Sequence, residues 1–225
     1  MKLALSRAHF PVTTLGPGRR LGVWFQGCSI RCPDCISADT WGPGRGTTTV
    51  HALLAAVEPW LTEAEGVTVS GGEPFDQPEA LCVLLREVRA RSDVDILVYS
   101  GYSVERLAPH LAAMSGLIDA LVTDPYDMES PQTKALRGSD NQRLHLLTPI
   151  GEARFAAFER AARPEDWALD IMVDDDGGVW MTGIPRRDDL RRLRHALAAE
   201  GHRVITSQAR AASRALPTSH VRTTR

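Results

Sequence analysis

The stretch GCSIRCPDC, residues 27–35, is the most informative part of this chain. Its cysteines, Cys28, Cys32 and Cys35, have the spacing CxxxCxxC, and thiolates are soft ligands that suit iron–sulfur clusters or zinc. Three ligands leave a four-coordinate centre one ligand short. In a [4Fe–4S] cluster held in this way, one iron stays open to an outside ligand, and the stretch therefore predicts a reactive metal centre.

Structural zinc is the alternative that this spacing leaves open. It needs a fourth ligand, for which His51 and Cys82 are candidates. Structural zinc usually closes its tetrahedron with paired ligands, whereas this chain has one triplet and no second pair. His51 begins a helical pattern and suits a surface or capping position. Cys82 lies among apolar residues of a predicted helix, where a free cysteine packs as a small hydrophobe.

A second motif, Gly71-Gly72-Glu73-Pro74, follows directly on a short predicted strand. Two glycines allow a ligand to approach the backbone closely, and folds built from βα units place their sites at the carboxyl ends of strands. Backbone carbonyls there, together with the Glu73 carboxylate, suit a ligand ammonium group. The same residues also suit a tight turn that Glu73 caps.

Composition sets limits on the class of protein. The chain has 225 residues, 43% of them hydrophobic, and a formal net charge of −2, which gives no basic field for nucleic acid. No apolar run approaches the roughly 20 residues that span a bilayer, and the apolar residues 1–5 are too few for a signal-peptide core. Three of the four cysteines are clustered, as in metal-binding cytosolic proteins. We therefore expect a cytoplasmic protein that binds neither nucleic acid nor membrane.

Alternating apolar strands and amphipathic helices predict an α/β fold over residues 1–148. Such alternation is typical of parallel βα units, whose right-handed crossovers give an open or partly closed barrel. The first helix is expected to stop around Pro59. The predicted strands are 21–26, 66–70, 94–100 and 117–123, and the predicted helices are 50–61, 79–90 and 104–113.

Residues 149–206 predict a separate α+β extension, and residues 207–225 a disordered tail with four arginines and no acidic residue. A turn-rich segment, 174–178, separates two short strands and predicts a β-hairpin, with Asp174, Asp175 and Asp176 at its solvated tip. Gly201 is the expected C-cap of the last helix. The predicted elements are helix 151–162, strands 169–173 and 179–182, helix 188–200 and strand 202–206.

The cysteine triplet followed by GGEP resembles the radical S-adenosylmethionine (radical SAM) superfamily. That resemblance implies a [4Fe–4S] cluster on Cys28, Cys32 and Cys35. It also implies that the amino and carboxylate groups of SAM bind the fourth iron. The motif at Gly71 to Pro74 would hold the methionine end of SAM.

A narrower resemblance is to the activating proteins of anaerobic ribonucleoside-triphosphate reductase, which are related to the pyruvate formate-lyase activating enzyme. It covers roughly residues 8–148. The chain departs from this family at Ile36, where the family has an aromatic residue, at Ser37, where it has Asn, and in the segment 122–126. The shared stretches are Gly16-Pro17-Gly18, Phe25-Gln26-Gly27-Cys28, Thr40-Trp41, Tyr99-Ser100-Gly101-Tyr102 and Leu136 to Arg143.

The resemblance assigns further residues to SAM, while the residues alone leave alternatives open. Asp34 and Ile36 flank the last cysteine and would lie against SAM, with Ile36 on the adenine. Tyr99, Ser100 and Tyr102 suit the ribose or the mouth of the site, although both tyrosines also suit ordinary packing. Asn141 is expected either to contact SAM or to close a turn. Trp24 and Trp41 are expected in the hydrophobic core.

The reaction implied by the resemblance begins with a one-electron donor such as flavodoxin or ferredoxin. The reduced cluster cleaves SAM to methionine and a 5′-deoxyadenosyl radical, with no catalytic residue beyond the cluster and SAM. The radical then takes hydrogen from a backbone glycine of a glycyl radical enzyme. Two alternatives stay open: a different peptide or small-molecule substrate, favoured by the extension and by the altered segment 122–126, and a metal-stabilised binding module without turnover.

Overall fold

A computed structural model describes residues 1–43, 47–173 and 178–202 as a seven-stranded sheet, a two-stranded hairpin and the helices around them. The sheet order is β3-β1-β2-β4-β5-β6-β7. The strands are β1 Lys2–Val12, β2 Arg20–Phe25, β3 Thr47–Thr49, β4 Gly66–Gly71, β5 Asp95–Tyr99, β6 Ala120–Thr123, β7 Arg143–Leu146, β8 Leu169–Val173 and β9 Val179–Gly183. The helices are α1 Val50–Glu63, α2 Pro78–Arg91, α3 Val104–Ala113, α4 Pro149–Phe155 and α5 Asp189–Ala199.

The predicted α/β class is confirmed at the centre of the sheet, where β2, β4, β5 and β6 are parallel neighbours. β1 and β3 add antiparallel strands on one side, and β7 adds one on the other. The sequence analysis did not predict these three strands. β1 is the longest strand, but most of its residues are only half-buried, so it lacks the clear apolar pattern of a core strand.

Two helices differ from the prediction in length. α1 continues through Pro59 to Glu63, because Leu61 extends the buried face of Leu53, Leu54 and Val57 by one more turn. α4 is shorter than expected and passes into a 3₁₀ turn over Ala156–Phe158. Beyond this turn the chain leaves the helix, and Ala161 forms a β-bridge with Lys134.

The two faces of the sheet bury different side chains, as the two-residue period of a strand requires. One face packs against α1, α2 and α3 and includes Val23, Val69 and Val98. The opposite face carries Trp24 and Leu97 and packs against other parts of the chain. The carboxyl edge of the parallel strands therefore lies between a helical layer and a second, mixed layer.

A buried ion pair anchors the second layer. Arg20 is fully buried, and its guanidinium donates to the Asp95 carboxylate at 2.6 Å and to the Thr68 hydroxyl at 2.6 Å. The other Asp95 oxygen accepts from Arg154 of α4 at 2.9 Å. Burial lowers the pKa of Arg20, and the neighbouring carboxylate opposes that shift. The same layer contains Phe155, which is fully buried.

The C-terminal hairpin is also part of this layer. The predicted hairpin is confirmed as the antiparallel pair β8–β9, and Gly201 ends α5 with a φ of 83°. Its tip at 174–177 and the predicted strand and tail from residue 203 onward lie outside the described residues. No helix in the described ranges has the length and apolar character needed to cross a membrane.

Asp170 attaches the hairpin to the β1–β2 connection. Its carboxylate accepts hydrogen bonds from the backbone N–H groups and hydroxyls of Thr13 and Thr14, at 2.7–3.2 Å. Trp180 of β9 packs edge-on against Trp24, with ring centroids 5.5 Å apart. These contacts hold the hairpin against the sheet.

We expect Asp170→Ala to loosen the hairpin without unfolding the sheet. Four hydrogen bonds to a half-buried carboxylate are lost, at a cost of about 2 kcal/mol. Hydrogen exchange should rise at least tenfold in β8 and β9 and stay unchanged in β4 and β5. Glu165→Ala, at an exposed site with one distant ion pair, is the matched control. Unchanged exchange in β8 and β9 would contradict this role of Asp170.

Candidate functional site

The cysteine loop leaves β2 at the carboxyl edge of the parallel strands and lies beside the ends of β4 and β5. Two non-glycine residues in it adopt left-handed backbone conformations, Arg31 and Asp34, each with a φ of 55°. Arg31 directly precedes Cys32 and Asp34 directly precedes Cys35. The local backbone is therefore bent immediately before the second and third cysteines, and such conformations concentrate at functional sites.

The three thiols are free and electrostatically coupled. Burial raises the pKa of each, that of Cys35 to about 11, and the charges of neighbouring cysteines raise the pKa values of Cys32 and Cys35 further. Each sulfur also accepts a hydrogen bond. The backbone N–H of Arg31 lies 3.5 Å from the Cys28 sulfur. The backbone N–H of Tyr126 donates to the Cys32 sulfur, and the Trp41 indole N–H donates to the Cys35 sulfur.

Such donors are typical of cluster-binding thiolates, so the donor set fits an iron–sulfur cluster. Among the described residues, no three His, Cys, Asp or Glu side chains already stand in a metal-binding arrangement. Neither candidate for the fourth zinc ligand belongs to the cysteine loop, since His51 is exposed on α1 and Cys82 packs against the core from α2. Core packing of Cys82 agrees with the prediction.

A hydrogen-bonded clamp fixes the start of the cysteine loop. The Asp76 carboxylate accepts from the Ser29 N–H at 2.7 Å and from the Ser29 hydroxyl at 3.0 Å. The Tyr102 hydroxyl lies 2.6 Å from Asp76 and 2.7 Å from Ser29, and Arg106 stacks on the Tyr102 ring. Tyr102, expected at the mouth of the site, thus joins the loop to the ends of β4 and β5.

We expect Tyr102→Phe to weaken cluster retention. The variant keeps the ring but removes both hydrogen bonds of the hydroxyl, at a cost of about 1 kcal/mol to the closed loop. Iron release to a chelator under anaerobic conditions should be roughly fivefold faster. Thr62→Val, which removes an exposed hydroxyl on α1 outside the clamp, should release iron at the wild-type rate. Equal rates for wild type and Tyr102→Phe would refute the clamp.

The glycines after β4 allow the backbone of β2 and its loop to come close. A Cβ at Gly72 would lie 2.0 Å from the carbonyl oxygen of Gly27, and one at Gly71, where φ is 112°, would lie 2.4 Å from Phe25 backbone atoms. The N–H groups of Gly72 and Glu73 donate to the Phe25 and Gly27 carbonyls at 2.9 Å. The sequence analysis expected these glycines to allow a ligand to approach the backbone. In the structure, the backbone of residues 25–27 occupies that space and so connects the turn to the cysteine loop.

Glu73 is almost fully buried and caps the 3₁₀ turn that begins at Pro74. Its carboxylate accepts from the Phe75 N–H at 3.0 Å, the Ser100 hydroxyl at 2.8 Å and the Gly101 N–H at 2.8 Å. Burial raises its pKa to about 7, although these hydrogen bonds oppose the shift. Glu73 therefore joins the ends of β4 and β5, and its charge acts on Cys28 and Cys32.

The other expected SAM residues have defined places. The Tyr99 hydroxyl donates to the Leu136 carbonyl at 3.2 Å, and burial raises the pKa of Tyr99. The Asn141 amide donates to the Pro125 carbonyl at 2.8 Å. This contact corresponds to the second of its two expected roles, closing a turn. Trp24 is buried, as expected, whereas Trp41 is half-buried and serves Cys35.

A cavity of about 470 Å³ opens between the cysteine loop, the sheet edge and the C-terminal segment. Asp34, Cys35 and Ile36 line it on the loop side, and Ser70 and Tyr99 line it on the sheet side. The sequence analysis missed the far wall, which comes from β9 and the segment that follows it. No motif marks those residues in the sequence, because only the folded hairpin brings them to the loop.

Comparison with known proteins agrees with this geometry. Residues 14–145 match the family model described as a 4Fe-4S single cluster domain. Two anaerobic ribonucleoside-triphosphate reductase-activating proteins are similar. That of Enterobacteria phage T4 is 30% identical over 134 residues, 57% of this chain and 85% of the relative. That of Escherichia coli K12 is 29% identical over 149 residues, which are 62% of this chain and 96% of the relative.

A pyruvate formate-lyase-activating enzyme of Clostridium pasteurianum is 33% identical over 134 residues, which cover 56% of each chain. The family model spans more than half of the present chain, including the cysteine loop and the GGEP turn. The reductase-activating proteins are matched over most of their own length. The chain therefore belongs to the radical SAM activating enzymes with a 4Fe-4S single cluster domain, the family of the anaerobic ribonucleoside-triphosphate reductase-activating proteins.

Proposed function

We propose that this chain reductively cleaves SAM at a [4Fe–4S] cluster held by Cys28, Cys32 and Cys35. The observation that carries the proposal is the attachment of the GGEP turn to the cysteine loop. Backbone hydrogen bonds of 2.9 Å join Gly72 to Phe25 and Glu73 to Gly27, at the carboxyl edge of the parallel strands. Metal ligands and a ligand-binding turn thus share one rigid unit, as cleavage of a metal-bound substrate requires.

The chain contributes positioning and exclusion of water. Gly71, Gly72, Glu73 and Pro74 hold the methionine end of SAM, and the Glu73 charge favours its ammonium group. Because the carboxylate is buried and fixed by three hydrogen bonds, it needs little reorganisation when the ammonium arrives. When bound, the cluster and SAM supply the 5′-deoxyadenosyl radical.

The adenosine end of SAM would lie in the cavity beside Cys35. Ile36 provides an apolar surface for the adenine, and Asp34 flanks it. Tyr99 contributes to the opposite wall, and Ser100, whose hydroxyl donates to Glu73, is the further polar residue that we assign to SAM. These residues would bound the cavity around the adenosine end of SAM and reduce its contact with bulk solvent.

The substrate in our proposal is a backbone glycine of a glycyl radical enzyme, with flavodoxin or ferredoxin as the electron donor. The names of the similar proteins, which activate an anaerobic reductase or a pyruvate formate-lyase, support a protein substrate. A small-molecule substrate is the second candidate, and a specific observation favours it. The C-terminal segment forms a wall of the cavity through Met181, Ile184 and Arg187, beyond the part that matches the family model.

The test is anaerobic reconstitution with iron and sulfide, reduction, and addition of SAM. We expect about four iron and four sulfide per chain, together with release of 5′-deoxyadenosine. Zinc in place of iron, or no 5′-deoxyadenosine from a fully loaded chain, would refute the proposal. Electron paramagnetic resonance after mixing with an anaerobic ribonucleotide reductase then separates the candidates: a glycyl doublet supports the first, and continued SAM cleavage without a doublet supports the second.

A further inference from the structure

The C-terminal segment gives the cavity a wall of fixed shape. β9 and the residues after it lie opposite the cysteine loop, and the hairpin is held by Asp170 and by the Trp180–Trp24 contact. The loop after β9 has its own anchors. The Gln132 amide donates to the Pro185 carbonyl at 2.9 Å, and Arg187 donates to the Ser130 carbonyl. The wall is therefore attached at two places: to the β1–β2 connection and β2 through the hairpin, and to residues 130–132 through the loop after β9.

The lining of this cavity carries one more arginine than aspartate, since Asp34, Asp39 and Asp188 also line it. Among its lining residues are four arginines, two of which pair with carboxylates: Arg7 with Asp39, and Arg191 with Asp188. The other two, Arg186 and Arg187, are adjacent and exposed.

Arg186 and Arg187 are held by neutral groups. The Arg186 guanidinium lies over the Trp167 ring, 5.7 Å from its centroid. Arg187 donates to backbone carbonyls and to Tyr126. No ion pair joins either one to a carboxylate within the described ranges. Both guanidinium groups are therefore held in place without a direct ion-pair partner in the described ranges, as in sites that recognise carboxylate or phosphate.

Deeper in the cavity the wall is apolar. Leu15 and Trp24 contribute from the sheet side, and Met181 and Ile184 from the C-terminal segment. A ligand that fills this space needs an apolar body that reaches inward from an anionic group at the mouth. SAM would occupy the part beside Cys35, so the second ligand lies against the C-terminal wall.

We infer that the C-terminal segment 179–191 makes this cavity a binding site for a small organic anion, with Arg186 and Arg187 on its carboxylate or phosphate group. Met181, Ile184 and Trp24 contact the apolar body of the anion. The role of this anion as hydrogen donor rests on the proposed SAM cleavage, whereas its binding does not. The segment thereby selects a small substrate in addition to, or in place of, a protein glycine.

The test uses three probes with one ring system: 2-naphthoate, 2-naphthyl phosphate and the neutral 2-naphthamide. Each is titrated by calorimetry into the full-length chain without SAM. Arg186→Gln and Arg187→Gln should each weaken binding of an anionic probe about tenfold, since each removes a charge-assisted hydrogen bond. Binding of 2-naphthamide should be unchanged. The stronger of the two anionic probes identifies carboxylate or phosphate as the preferred group.

Arg192→Gln is the matched control, because Arg192 is on α5 with 77% of its side chain exposed and lies outside the cavity lining. It should bind all three probes as the wild type does. Equal affinity for the anions in wild type, Arg186→Gln and Arg187→Gln would overturn the inference, as would equal losses for 2-naphthamide. These titrations need no turnover, so a failure of SAM cleavage is detected separately from a failure of anion binding.

Discussion

Cys32→Ala is expected to abolish both cluster assembly and SAM cleavage. Cys32 is the middle cysteine of the triplet, and its sulfur is coupled to that of Cys28 and to the Glu73 charge. With only two thiolates left, an iron–sulfur cluster loses one of its three protein ligands. Iron and sulfide should fall to background after anaerobic reconstitution. Formation of 5′-deoxyadenosine should fall at least 1,000-fold, because the reducing centre is absent.

Cys82→Ser is the control for this experiment. Cys82 packs at the edge of the core on α2 and takes no part in the cysteine loop. The control should bind iron and sulfide at the wild-type level, with at most about 1 kcal/mol lost from its free energy of unfolding. Normal SAM cleavage by Cys32→Ala, or loss of the cluster in Cys82→Ser, would show that the ligands are assigned wrongly.

Asp95→Ala is expected to be the most destabilising single substitution that we consider. Removing this carboxylate leaves the fully buried Arg20 guanidinium without its counter-ion and releases Arg154 of α4. Breaking a buried ion pair in this way costs about 3–5 kcal/mol. For a chain of this size, that cost corresponds to a decrease in Tm of roughly 10 °C.

Thermal and denaturant unfolding measure this effect, and Asp93→Ala, at an exposed position two residues earlier, is the control. A double variant tests the mechanism. Arg20→Met combined with Asp95→Leu replaces both charges by apolar groups and should recover most of the lost stability. A Tm of Asp95→Ala within 2 °C of the wild type would contradict the structural role of the pair.

The parallel part of the fold could be predicted from the sequence because its strands are buried on both faces. Continuous apolar runs and helical spacing identified β2, β4, β5 and β6 and the helices between them. β1 and β7 are mostly half-buried, so their residues carry no comparable pattern. Their strand structure depends on pairing with β2 and β6, which is a long-range interaction.

In the candidate site, too, the features with a local sequence pattern could be predicted and those that depend on long-range contacts could not. The spacing of Cys28, Cys32 and Cys35 and the GGEP motif were visible because local chemistry dictates those residue types. The reason for the glycines was not visible, since it lies in the approach of the Gly27 carbonyl to Gly72 across the sheet. Likewise, Tyr102 was assigned to the mouth of the site, but its hydroxyl clamps Ser29 and Asp76.

The sequence by itself determined that three thiols stand close together in the chain ahead of a glycine-rich turn, a set of soft ligands that suits an iron–sulfur cluster or zinc. Only the tertiary structure decided what shares the cavity with that centre. Arg186 and Arg187 lie about 150 residues from the cysteine loop along the chain, and they reach its cavity because Asp170 and Trp180 dock the hairpin there. Such contacts arise from folding and leave no local pattern in the sequence.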